Sequence, residues 1–67
     1  MDLVSNVIQE GVRFIHKDYP YLIYTFGKSN EHGIEISWIE QDEQISTIYG
    51  LDTCKEFMND GTWMKIN

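Results

Sequence analysis

Apolar residues near the start of the chain recur at spacings of three, four and seven: Leu3, Val4, Val7, Ile8, Val12 and Ile15. They form one face of a helical wheel, with Asp2 placed as N-cap, and predict an amphipathic helix over residues 2–16. Gly11 weakens that helix by roughly 1 kcal/mol relative to Ala. Pro20 disfavours helical backbone at Tyr19 and sets its limit. Tyr21–Gly27 is aromatic and β-branched and reads as a strand, followed by the turn cluster Ser29-Asn30-Glu31-His32-Gly33. Ile34, Ile36 and Trp38 then alternate with Glu35 and Ser37, the clearest period of two in the chain. Gln41-Asp42-Glu43 makes a second polar turn, and Gln44–Tyr49 reads as a third strand.

Leu51, Cys54, Phe57 and Met58 line one side of a short helix over residues 53–59. Thr53–Glu56 has capping-box spacing, Asp52 is the alternative N-cap, and Gly61 suits the C′ position. Thr62–Ile66 is a fourth strand or an ordered tail. The predicted fold is α+β: an N-terminal helix, a three-stranded antiparallel meander, a short second helix and a short C-terminal strand, all in a single domain over residues 1–67.

A tight turn at Asp42 places Ile36, Trp38, Ile45, Thr47 and Tyr49 on one side of the sheet. An odd-length first loop adds Leu22, Tyr24 and Phe26 to that side; an even loop adds Tyr21 and Ile23 instead, because a one-residue slip turns a strand over. With the odd loop, the opposite side carries Tyr21, Ile23, Thr25, Glu35, Ser37, Ile39, Ser46 and Ile48. Half of that side is apolar, so it is either covered by the C-terminal segment or offered to a partner.

Composition sharpens this picture through charge. The net charge is −6, and the segments Met1–Lys28 and Lys55–Asn67 are each balanced. Between Ser29 and Cys54 lie Glu31, Glu35, Glu40, Asp42, Glu43 and Asp52, with no Lys or Arg. An acidic centre argues against direct nucleic-acid binding, which needs a basic surface to displace counterions, and suits a basic protein partner. Cys54 is the only cysteine, so no internal disulfide forms. Met1–Asn6 lacks the basic patch and apolar run of a secretory leader, and no apolar run approaches a membrane span, so a cytoplasmic protein is expected.

Signals for catalysis are few. There is no glycine-rich phosphate loop, no H-E-x-x-H, no paired-cysteine motif and no nucleophile elbow. His16, His32 and Cys54 fall on different elements, where a helix-end residue, a turn residue and a small core residue are the simpler readings. Glu40, Asp42 and Glu43 do not follow the spacing of a calcium loop. No enzyme, cofactor or metal is expected. Most aromatics belong to the core on register grounds; Trp63, beyond the last helix, is either core or an exposed contact residue beside the apolar sheet face.

The helix–three-strand–helix order, the acidic turn-rich centre and the ending Phe57-Met58-Asn59-Asp60-Gly61-Thr62-Trp63 together resemble the small acidic inhibitors that phages and mobile elements encode against host defences, including some anti-CRISPR proteins. The resemblance implies carboxylates standing in for phosphates on a nucleic-acid-binding host protein, here Glu31, Glu35, Glu40, Asp42 and Glu43. The expected function is therefore a non-catalytic inhibitor binding a basic protein through those acids and through Tyr21, Ile23, Ile39, Ile48 and Trp63. An immunity protein or antitoxin against a basic nuclease is the second class. A homodimeric module that buries Ile23, Ile39 and Ile48 against its copy is the third.

Overall fold

The computed structural model describes residues 7–66. Its elements run β1 (Arg13–His16), β2 (Tyr19–Asn30), β3 (Gly33–Glu40), β4 (Glu43–Tyr49), α1 (Leu51–Asp60) and β5 (Trp63–Lys65). The strands form one antiparallel sheet in the order β4-β3-β2-β1-β5. Helix α1 carries the chain from the β4 edge to the β5 edge and covers one side of the sheet. The expected plan of an N-terminal helix over a three-stranded meander is thus replaced by a five-stranded sheet with one ten-residue helix.

The expected helix over residues 2–16 is overturned in its second half; residues 2–6 lie outside the described residues. Val7 is helical, the chain bends through Ile8–Gly11, and Gly11 takes φ +89°, a left-handed conformation that glycine adopts without steric cost. Past that break Phe14 is fully buried with Val12 packed against the same core, while Arg13 points outward. That is a period of two, and Val12 already pairs with β2 by accepting a hydrogen bond from the Phe26 N–H at 2.9 Å. Pro20, expected to terminate a helix, lies within β2 where the β1–β2 register breaks between Phe14 and His16, a place that needs no ladder donor.

The β2–β3 turn settles the parity question. Asn30 pairs with Gly33, so the loop holds two residues, Glu31 and His32. An even loop alone would put Tyr21 and Ile23 on the core side. Between Phe26 and Ser29, however, the register shifts: Gly27 and Lys28 together oppose Glu35, a one-residue bulge. The bulge restores the odd count, and Phe26 pairs with Ile36. A Cβ at Gly27 would lie 3.3 Å from the Glu35 Cβ, which would have to give by a few tenths of an ångström, while the nearby Glu35 Oε1 is the free end of an exposed side chain that can turn away.

The core beneath α1 consists of Phe14, Phe26, Ile34, Ile36, Cys54 and Trp63. Trp63, whose exposure the sequence left open, is 5% exposed and leaves the partner-binding set. Its ring meets Phe14 at 4.6 Å, Phe57 at 5.0 Å, Tyr49 at 5.3 Å and Phe26 at 6.2 Å between centroids. It therefore contacts rings from β1, β2, β4 and α1. The reason is pairing: β5 joins the sheet beside β1, with His16 opposite Trp63 and Phe14 opposite Lys65, which turns Trp63 inward.

Helix α1 begins two residues earlier than expected, with Gly50 at the N-cap and no side-chain cap bond, so neither the Thr53 capping box nor the Asp52 cap forms. Its end is as expected: Gly61 is left-handed at φ +86°. Asp60 tightens that end by accepting the Thr62 N–H at 2.8 Å. Thr62 side-chain and backbone hydrogen bonds hold the Asp60 carboxyl below the usual range.

Three consequences can be measured. Trp63→Ala should cost about 3–5 kcal/mol in denaturant unfolding, most of the stability of so small a domain. Gly33, at φ +138°, approaches the Tyr49 carbonyl oxygen so closely that a Cβ would collide with it, so Gly33→Ala should destabilise while Gly50→Ala, with open space at its Cβ, should be mild. Because the folded Asp60 carboxyl is depressed, its contribution is present above the ordinary value of about 3.9 and lost as pH falls through the folded value. Thr62→Ala should raise the Asp60 pKa toward the ordinary value in an NMR titration.

Candidate functional site

The side of the sheet away from α1 is covered by no described element. Register fixes its membership: Glu35 pairs with Ile48, Ser37 with Ser46, Ile39 with Gln44, and Thr25 with Ser37. Ser46, Ser37, Thr25 and Arg13 form a polar row across four strands, since Arg13 pairs with Thr25. Ile39 lies on one side of that row and Ile48 on the other. Ile23 and Tyr21 continue the apolar surface along β2, and Met64 opposite Ile15 extends it to the far edge. Tyr21 is 75% exposed and Ile39 60%, with Ile23, Ile48 and Met64 about half exposed. The C-terminal segment does not cover this face, because β5 takes an edge position in the sheet itself.

Acids stand at both ends of the sheet, but Glu40 and Glu43 share register with Trp38 and Ile45 and so lie on the α1 side, where Glu40 acts electrostatically on Tyr24. Glu40 and Glu43 are directly paired around the two-residue turn Gln41-Asp42, and both turn residues are left-handed, at φ +52° and +64°. Like charges placed opposite each other and left-handed non-glycines each oppose folding. At the other end Glu31 lies in the β2–β3 turn, where the His32 N–H donates to Asn30 Oδ1 at 2.7 Å. Glu31 approaches His32 Nε2 at 3.6 Å, an exposed contact worth little. Glu35 stands on the open face beside the Gly27–Lys28 bulge. Glu35, Glu40, Asp42 and Glu43 form no ion pair with any described residue.

The other chemistry-bearing residues stay apart. His16 Nδ1 accepts the Asp18 N–H at 3.0 Å and its ring lies 5.0 Å from Tyr19. His32 is exposed in the opposite turn, and Cys54 is fully buried, where desolvation pushes its thiol pKa up. Among the described residues no group of three His, Cys, Asp or Glu side chains is placed to hold a metal ion. A cleft of about 430 Å³ lies between Ile8–Glu10 and Gly27–Ser29, with only Glu10 and Lys28 as its charged groups. No described helix is long and apolar enough to cross a membrane.

No protein-family model matches this sequence, and no curated protein or solved structure matches it either. The site therefore rests on its own geometry. Of the residues proposed from sequence, Tyr21, Ile23, Ile39, Ile48 and Glu35 share the open face; Glu40, Asp42 and Glu43 gather at one end of the sheet, Glu40 and Glu43 on the α1 side, and Glu31 lies at the other end. Trp63 does not belong. Ile15 and Met64 were not foreseen; the alternation of Val12, Phe14 and His16 against Arg13 and Ile15 was the signal that would have found Ile15.

One inward-facing group is left without a partner. Trp38 Nε1 is buried and has no acceptor among the described residues, although its ring packs edge-on to Tyr24 at 5.1 Å. An unpaired buried donor costs about 1–3 kcal/mol, so Trp38→Phe should be nearly neutral despite the smaller ring. On the open face, Ile39→Thr and Ile48→Thr should each change unfolding free energy by no more than about 0.5 kcal/mol. A large loss there would mean that the face is structural.

Proposed function

We propose that this chain is a non-catalytic binding module for a basic protein, engaged through the open sheet face and the acidic turns at the ends of the sheet. One observation carries the reading: a sheet face rich in exposed Ile and Tyr is covered by no described element, Glu35 stands on it, and Glu40, Asp42 and Glu43, with no ion pair to a described residue, stand at one end of the sheet. Apolar surface gathered on one face favours a macromolecular contact. Carboxylates on it and at the ends of the sheet raise the encounter rate with a positive partner and repel further copies of a chain with net charge −6. Ile39, Ile48 and Tyr21 would supply contact energy, and Glu35, Asp42 and Glu43 would supply steering.

Inhibition of the bound protein is the form of action this reading favours. The acidic centre that suggested an inhibitor of host defence is retained in the fold, although the element order that accompanied it is not.

The test is capture from a lysate of the source cells at low and high salt. The wild-type chain, an Ile23→Ser/Ile39→Ser/Ile48→Ser variant and a Glu35→Lys/Asp42→Lys/Glu43→Lys variant are compared. Basic proteins should be retained by the wild type, lost from the serine variant at both salt concentrations, and bound more slowly, with a flatter salt dependence, by the charge-reversed variant. Identical capture by all three chains would remove the face from consideration.

A further inference from the structure

The two edges of the sheet are built differently. β5 has three residues and ends on Lys65, a short, charged edge of the kind that resists pairing with another strand. β4 has seven residues, Glu43–Tyr49, paired with β3 position by position with no register shift. It contains no Pro, Gly, Lys or Arg. Because Glu40 and Glu43 close a two-residue hairpin, they exchange both backbone bonds of their pair, and the ladder alternates from there. Glu43, Ile45, Thr47 and Tyr49 thus turn their backbone groups toward β3. Gln44, Ser46 and Ile48 turn their N–H and C=O groups outward, and these three are exposed.

We infer that β4 is a docking edge for an extended basic segment of the partner, which adds to the sheet as a sixth strand. Charge chooses the occupant. Glu40, Asp42 and Glu43 stand at one end of the edge and Asp52 with Glu31 at the other, while no Lys or Arg occurs from Ser29 to Cys54. A second copy of β4 would bring the same unneutralised acids to both ends. A segment with cations at both ends and β-branched residues between them meets complementary charge at each end and continues the open face beside Ile48. Strand addition supplies affinity through main-chain bonds and specificity through alternate side chains.

This mode rests on the basic-partner reading, and the experiment separates the two. The probe is a synthetic peptide of β4's length with Lys at both ends and Val and Thr between, added to the ¹⁵N-labelled chain. A second peptide carries Glu in place of Lys, and two more carry N-methyl groups on alternate amides in opposite phases. The Lys peptide should move the Gln44, Ser46 and Ile48 amides most. One methylation phase should weaken binding by at least about tenfold, the loss of one or two backbone bonds, and the other phase should leave it intact.

Ser46→Pro, at a position whose N–H does no work in the fold, should block binding without unfolding the chain; Ser46→Lys makes the same test should proline not be accommodated. Equal binding of both methylated peptides, or shifts centred on β5, overturns strand addition and leaves the basic-partner reading standing. Equal or absent binding of the Lys and Glu peptides overturns both. A free chain that sediments as a dimer with its β4 amides already protected assigns the edge to a second copy and overturns the inference.

Discussion

The extra residue at Gly27–Lys28 decides which side of the sheet becomes core. With it, Phe26 lies over Ile36, Tyr24 comes beside Trp38, and Phe14 can pack on Tyr24 with ring centroids 5.3 Å apart. Without it, every inward side chain of β2 before the bulge would turn outward. The aromatic cluster into which Trp63 inserts would then lose its β2 members. Glu35 lies opposite the bulge with its carboxylate close to Gly27, so the place where the core register is set also carries a surface carboxylate.

Among the described residues of this 67-residue chain, one ten-residue helix covers the five-stranded sheet on one side only. Small domains bury a smaller fraction of their surface than large ones, and here the shortfall is concentrated. One side holds interlocking rings around Trp63. The other exposes Ile23, Ile39 and Ile48 along a polar row of Ser and Thr. Placing apolar side chains on the solvated side adds little to folding and invites association, and the unpaired Glu40–Glu43 closure opposes folding outright. Both features have a use if the open side meets a partner of opposite charge.

Much of this was legible in the sequence where local signals agreed. The period of two in Ile34–Trp38, the polar turns at Glu31 and Asp42, and Gly61 after the helix located β3, both hairpins and the helix end. The membership of the open face followed from register once the parity of the first loop was fixed, but the bulge that fixed it, opposite Glu35, has no pattern of its own. The first strand was misread because Val7, Ile8, Val12 and Ile15 satisfy helical spacing; Gly11 at φ +89° interrupts that pattern, and Phe14, which fits only the strand period, carries more burial than any of the four. Trp63 stayed open between core and surface because a three-residue strand is too short to announce itself. Its position depends on β1, and β1 had been given to a helix.

An uncovered face and an unguarded β4 edge on a well-packed opposite side form the central claim, and residue-resolved hydrogen exchange on the free chain tests it most directly. The amides of Ile45, Thr47 and Tyr49 should exchange slowly, close to the rate set by global unfolding, while those of Gln44, Ser46 and Ile48 on the same strand exchange quickly. Protection that is uniform along β4 would contradict the account, because it would mean that the edge is already covered.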